Sequence, residues 1–222
     1  MSANQDAGFS IVTYTGTGSA GATVGHGLSS APNLVFFKNR GYAYSWLVQG
    51  DALGSPASGY YMWLDRTDAV TTDSSVNTTF GGSTITLDYS PAYNQSGYNI
   101  VAYCFAEVEG FSKFGKYTGN GSTDGPFVYT GFRPAWVLLK RTDSATGGSW
   151  SIRDSARNPE NPIDVVLYTD GTNADADWSS YPVDLLSNGF KIRASNTGQN
   201  ASGSPYIFMA FAEMPFRYSN AR

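Results

Sequence analysis

Two stretches of this chain, about 100 residues apart, carry the same motifs in the same order. Phe9-Ser10 leads into Tyr14-Thr15-Gly16-Thr17-Gly18-Ser19, and Phe111-Ser112 leads into Tyr117-Thr118-Gly119-Asn120-Gly121-Ser122. Pro32-Asn33-Leu34-Val35-Phe36-Phe37-Lys38 is matched by Pro134-Ala135-Trp136-Val137-Leu138-Leu139-Lys140, and Ser45-Trp46 by Ser149-Trp150. Leu64 aligns with Leu167, Ile85-Thr86-Leu87 with Phe190-Lys191-Ile192, and both copies close on Phe-Ala-Glu, at Phe105-Ala106-Glu107 and Phe211-Ala212-Glu213. Order preserved over so many positions implies two copies of one domain, 1–108 and 109–222, joined without a linker at Glu107-Val108-Glu109-Gly110-Phe111.

Each copy reads as short strands. Val35-Phe36-Phe37 and Trp136-Val137-Leu138-Leu139 are β-branched and aromatic runs after a proline, too short for helices. Ile85-Thr86-Leu87-Asp88-Tyr89 and Phe190-Lys191-Ile192-Arg193 alternate apolar with polar, which sets one face on a core and one in water. Ile207-Phe208-Met209-Ala210-Phe211-Ala212 reads as buried on both faces. Gly81-Gly82, Gly147-Gly148, Asp170-Gly171 and Asn188-Gly189 punctuate the runs, the last as a tight turn before Phe190. No helical periodicity appears. The expected class is all-β: two tandem, homologous, β-sandwich-like domains with short strands and Gly-rich turns.

Charged residues are only 14% of the 222, against roughly 25% in an average soluble protein. The surface is therefore made of Ser, Thr, Asn, Gln and Gly, and offers hydrogen bonds rather than charge. Fourteen basic against eighteen acidic residues give a net charge of −4 without a basic cluster, which argues against nucleic-acid binding. No apolar run approaches the ~20 residues of a membrane span, so membrane insertion is not expected. Met1 to Asp6 is polar and lacks the basic start of a secretion signal. Cys104, the one cysteine, sits in the apolar run Ile100–Phe105 and reads as a small buried residue.

Longer segments carry a resemblance. They are Gly8–Gly16, Ala22-Thr23-Val24-Gly25-His26-Gly27-Leu28, Ala31-Pro32, Thr118–Trp136, Asp154-Ser155-Ala156-Arg157 and Ala210–Phe216. Over nearly its whole length the chain resembles an uncharacterised duplicated β-domain found in tail- and fibre-like structural proteins of tailed bacteriophages, especially marine ones. The resemblance implies a virion setting and no reaction, and it transfers no catalytic residues. Members of that group often end much longer chains, so this sequence is expected to be either an excised distal domain or a small virion protein.

Few residues point to catalysis. His26, the single histidine, is flanked by glycines, has no counterpart in the second copy and reads as a turn residue rather than part of a triad. Glu107 and Glu213 are repeat equivalents, the symmetric pair a glycosidase would use, but duplication alone accounts for them. No catalytic residue is assigned and no enzyme is expected. Asp170, Asn173, Asp175 and Asp177 crowd oxygen donors into eight residues: they read first as an acidic loop without metal, so no cofactor is expected, and are the candidate ligands should a calcium ion bind. Tyr42, Tyr44, Tyr60, Tyr93, Trp178 and Tyr181 lie in polar or Gly-rich surroundings and are the candidate ligand-contacting aromatics.

These readings converge on a virion protein acting in host attachment. It would recognise a cell-surface glycan or protein beside other virion proteins, as a homo-oligomer, by analogy a trimer, assembled in the host cytoplasm and carried on the extracellular particle. A head-decoration or tail-assembly protein is the alternative, and a polysaccharide-degrading enzyme the third reading.

Overall fold

A computed structural model describes residues 1–177 and 179–213, and it is all-β. Among the described residues the only helical pieces are the 3-10 turns Pro56–Ser58 and Ser74–Val76. Two compact units divide the chain.

The first unit contains β1 (Ser2–Asn4), β2 (Phe9–Thr15), β3 (Ala22–Gly25), β4 (Leu34–Asn39), β5 (Leu47–Gly50), β6 (Tyr60–Trp63), β7 (Thr71–Thr72), β8 (Thr78–Phe80), β9 (Thr84–Leu87) and β10 (Asn99–Phe105). Its large antiparallel sheet runs β1-β2-β10-β4-β5-β6-β7, and its small sheet β3-β9-β8. One apolar cluster holds Val35, Phe37, Leu47, Ile100 and Ala102 of the large sheet with Ile85 and Leu87 of the small one. The unit is thus a two-layer sandwich with its core between the sheets.

The second unit contains β11 (Ser112–Thr118), β12 (Phe127–Tyr129), β13 (Trp136–Arg141), β14 (Ser151–Asp154), β15 (Val165–Tyr168), β16 (Ala176–Asp177), β17 (Val183–Leu186), β18 (Gly189–Ile192) and β19 (Pro205–Phe211). Its sheets run β11-β19-β13-β14-β15-β16 and β12-β18-β17, and its core again draws on both, from Val137, Leu139 and Phe208 to Val128 and Phe190. Without β1, the strand order of the first unit is the strand order of the second. Register agrees too: Val24 faces Ile85 as Val128 faces Phe190, and Leu34 faces Phe105 as Trp136 faces Phe211.

Two sequence alignments shift in register. Leu167 faces Ile152 as Met62 faces Val48, so Met62, not Leu64, holds its place. Phe9 lies opposite Phe105 whereas Ser112 lies opposite Phe211, one residue away from the Phe9–Phe111 match. The Asn188-Gly189 turn also differs. Leu186 pairs with Gly189, so Ser187 and Asn188 make the turn and Gly189 starts β18. Gly189 is needed there for space, because a Cβ would lie 2.1 Å from the Val128 carbonyl oxygen.

The motif common to both copies is a backbone lock. Tyr14 donates its hydroxyl to the Tyr93 carbonyl (2.7 Å), and Tyr117 donates to that of Gln199 (2.8 Å). Asn94 Oδ1 accepts from Thr17 N–H, and Asn200 Oδ1 from Asn120 N–H. Each Asn amide donates in turn to two carbonyls, Ser19 and Asp88 in one unit, Ser122 and Ala194 in the other. Gly16 and Gly119 permit the approach, since a Cβ would sit 2.2 Å from the Gln95 carbonyl oxygen in one case and 2.3 Å from that of Ala201 in the other. Buried amides tied at every donor and acceptor pin the chain at this corner.

The unit boundaries fall at Glu107 and Val108, with one exchange: Asp65–Ala69 belongs to the second unit. The carbonyls of Thr67 and Asp68 accept hydrogen bonds from Lys140 Nζ at 3.1 and 2.9 Å. That ammonium also donates to the Arg141 carbonyl and lies 6.0 Å from the Trp150 ring centroid. In the first unit Lys38 donates to the Tyr44 carbonyl and lies 5.9 Å from Trp46. Lysine over tryptophan is therefore a recurrent element of the scaffold.

Candidate functional site

Aromatic residues gather at one corner of the first unit. The loop after β4 folds back on Asn39, whose Oδ1 accepts from the N–H groups of Gly41 and Tyr42. Tyr42 is 54% exposed, and its ring stands 5.4 Å from Tyr44 and 6.2 Å, edge-on, from Tyr98. Gly41 leaves room for Tyr98, whose ring carbon a Cβ would meet at 2.7 Å. Asn99 follows Tyr98 directly, and its Oδ1 accepts from the Thr15 hydroxyl. The result is an exposed ring packed against two half-buried ones. An exposed tyrosine ring with its hydroxyl suits the C–H face of a sugar or a peptide side chain. Tyr98 was not among the sequence candidates, since only the fold brings it to Tyr42 from across the sheet.

The other candidates disperse. Tyr60 is 36% exposed on β6 and lies over Gly54, where a Cβ would meet its ring at 2.5 Å. Tyr93 is not a surface contact residue: it is fully buried, 5.1 Å from Phe37, and donates its hydroxyl to the Asn77 carbonyl at 3.0 Å. Its polar, Gly-rich neighbours in sequence are those of the lock, which faces inward. Burial pushes the Tyr93 hydroxyl well above the ordinary tyrosine range. Tyr181 is half-buried in the second unit and walls a small cavity with Tyr168. Trp178 lies outside the described residues.

The acidic stretch does not assemble as a ligand set. Among the described residues no group of three or more His, Cys, Asp or Glu side chains is placed to hold a metal ion. Asp170 accepts from Trp150 N–H at 3.4 Å, and burial raises its carboxyl despite nearby Lys140. Asp175 is turned to Arg157 at 3.5 Å, while Asn173 and Asp177 are exposed. Asp170 and Asp175 each meet a separate donor or cation instead of one another.

His26 is fully buried and has both ring nitrogens in use: Nδ1 accepts from Leu28 N–H, and Nε2 lies 3.0 Å from the Gly81 carbonyl oxygen. Thr130 holds the corresponding corner of the second unit, where its Oγ1 accepts from Phe132 N–H. Both side chains brace a turn, as expected for His26. Glu107 ends the closing strand of its unit with its N–H donated to Asn33 Oδ1, and Glu213 is exposed at the end of the other. Cys104 is buried, and burial pushes its thiol up to about 12.

No curated protein and no solved structure matches this chain. One family model does, over residues 1–215, so the chain belongs to DUF7483, a domain family of unknown function.

Proposed function

We propose that this protein is a non-catalytic binding module of a tailed-phage virion that recognises a glycan on the host surface. The observation that carries the reading is the Tyr42–Tyr44–Tyr98 platform, an exposed ring on a half-buried aromatic base. A chain in which only 14% of residues are charged supports recognition through stacking and neutral hydrogen bonds. Such contacts are individually weak, and presentation in several copies on a particle makes them effective. The virion setting rests on the resemblance of the chain's motifs to tail- and fibre-like proteins.

The test is binding of labelled protein to candidate host cells before and after periodate treatment of their glycans. Saturable binding that periodate abolishes and Tyr42→Ala weakens at least tenfold is the expected result. Binding indifferent to both would end the glycan reading.

A second reading, a decoration or assembly protein, is favoured by β12. Phe127 and Tyr129 are 45% and 65% exposed there while Val128 between them is buried. Two aromatics on the open face of an edge strand suit a protein contact. Phe127→Ser with Tyr129→Ser would then impair incorporation into particles and leave cell binding intact.

A further inference from the structure

On the outer face of the small sheet of the first unit, polar side chains form a two-by-two block. Thr79 on β8 stands opposite Thr86 on β9. One step further along, Asn77 stands opposite Asp88, whose N–H donates to the Asn77 carbonyl at 3.1 Å. Their chain neighbours Val76, Thr78, Ile85 and Leu87 are buried, so the alternation of extended chain turns Asn77, Thr79, Thr86 and Asp88 away from the core. Side chains opposite one another on a sheet lie about 5 Å apart and alternate ones on a strand about 7 Å, so the block has the span of one sugar ring.

All of these residues line a cleft of about 160 Å³, which Ala20 and Ala57 wall from either side. The Thr79 and Thr86 hydroxyls, Asn77 Nδ2 and Asp88 Oδ2 make no hydrogen bond among the described residues, and Asp88 has no cationic partner there. Asp88 Oδ1 accepts from the Tyr89 N–H at 2.8 Å. Thr79 is an exposed residue, and neither Thr86 Oγ1, Asn77 Nδ2 nor Asp88 Oδ2 is among the buried polar atoms that lack a partner, so these groups meet solvent. Asn77 Oδ1 is buried on the side of Gly59 and takes no part. A molecule entering the cleft therefore finds hydrogen-bonding groups that the protein itself leaves unused.

The second unit shows the same block with its side chains paired. The equivalent positions are Pro182, Asp184, Lys191 and Arg193: Asp184 stands opposite Lys191, and the Arg193 N–H donates to the Pro182 carbonyl. Arg193 lies 3.4 Å from Asp184, and Lys191 lies 2.7 Å from Asp124. Ala20 of the first unit stands where Asp124 does, since Gly21 donates to the Leu87 carbonyl as Gly125 donates to that of Ile192. A self-satisfied face was thus available to this fold, and the first unit replaces both ion pairs with hydroxyls, an amide and a lone carboxylate.

We propose that the first unit binds a sugar residue in this cleft, with Asp88 Oδ2 accepting from one ring hydroxyl, Asn77 Nδ2 donating to a neighbouring oxygen, and Thr79 and Thr86 doing either. A carboxylate only accepts and an amide N–H only donates, whereas a sugar hydroxyl does both, so one polyol meets every group of the block. A metal cation would suit the carboxylate and be opposed by the amide N–H. The cleft holds about a dozen water-sized atoms, as many as the non-hydrogen atoms of a hexopyranose. A second hollow of about 230 Å³ shares Ala57, Thr78 and Thr79 with it and adds Asp51 and Ser55, which gives room for the next residue of a chain. The site does not rest on the tyrosine platform, so either can fail without the other.

Amide NMR spectra of the whole protein, titrated with the methyl glycosides of glucose, galactose, mannose and N-acetylglucosamine, with maltose, lactose, mannobiose and chitobiose, and with tetrahydropyran as a ring without hydroxyls, test this. At least one sugar is expected to shift the amide signals of Thr79, Thr86 and Asp88 saturably, and tetrahydropyran to shift none of them. Tighter binding of a disaccharide than of its methyl glycoside would assign the ligand to a glycan chain, and equal binding to a terminal or free sugar. Asp88→Asn and Thr86→Val, both close in shape to the native residues, are each expected to weaken binding about tenfold. Absence of a saturable shift at these amides with every sugar, equal shifts with tetrahydropyran, or full retention of binding in both folded variants would each overturn the proposal. Shifts confined to Tyr42 and Tyr98 would overturn it and uphold the platform. The shift map needs no variant and decides the matter even where a variant does not fold.

Discussion

The two units share a strand order and a lock but differ in what sits under it. Asn94 and Asn200 make the same ring of hydrogen bonds, and Tyr14 and Tyr117 donate to equivalent carbonyls. Beneath, Gln49 and Tyr93 form a closed, fully partnered corner, whereas Arg153 Nη2 and the Gln199 amide have no hydrogen-bond partner among the described residues. On the surface the first unit carries the Tyr42 platform and the second the exposed pair on β12. What the units have in common is therefore scaffold, and recognition is to be sought where they diverge. Agreement between copies records what the sandwich needs to close, which is equally needed in both.

Four experiments bear on that division. Asn94→Ala and Asn200→Ala remove equivalent locks, and each is expected to cost about 3–4 kcal/mol, since several buried backbone groups lose partners together. Denaturant unfolding of both variants checks it, and very unequal costs would break the equivalence. Gln49→Arg puts a cation into the closed corner and is expected to destabilise by about 3 kcal/mol, while Arg153→Gln stays within about 1 kcal/mol of wild type. If Gln49→Arg were as harmless as Arg153→Gln, the contrast between corners would not exist.

The third concerns Lys140, which burial holds at about 8, against an ordinary lysine value of 10.5. From about pH 8 to 10.5 the unfolded chain keeps a proton that the folded protein has released. Stability then rises with pH across that window, and below it the buried charge is a burden. From about pH 9 the trend is opposed, because burial raises Cys104 and, near pH 10, Tyr14 and Tyr117, so that these groups ionise first in the unfolded chain. Between pH 8 and 10 the unfolding free energy of the wild type should therefore gain about 2 kcal/mol relative to that of Lys140→Met, the Cys104 and tyrosine contributions being common to both. The smallest effect is expected at Tyr42→Ala: a stability change within about 0.5 kcal/mol, as for exposed positions, together with the loss of glycan binding. A large loss of stability instead would make the platform part of the scaffold.

The strands were legible in the sequence because apolar periodicity survives in each element. Ile85-Thr86-Leu87 and Phe190-Lys191-Ile192 alternate as read, and Tyr206–Ala210 is buried throughout because β19 lies in mid-sheet between β11 and β13. His26 and Cys104 fell where their neighbours implied. Tyr93 did not, since polar neighbours signal exposure only when they face water, and here they face the lock. The acidic run shows the same limit of sequence reading: Asp170 meets Trp150 N–H and Asp175 meets Arg157, contacts that spacing along the chain does not reveal.

By itself, then, the sequence determined the class, the two-fold repetition of its pattern and the low-charge surface, because these depend on residue type and on spacing along the chain. Tertiary structure alone decided that Tyr98 joins Tyr42, that Asp65–Ala69 belongs with Lys140, and that Arg153 lies fully buried on the Tyr181 carbonyl. Each of these is a contact between distant positions, and the free energy of a buried polar group is set by what the fold brings to it rather than by its neighbours in the chain.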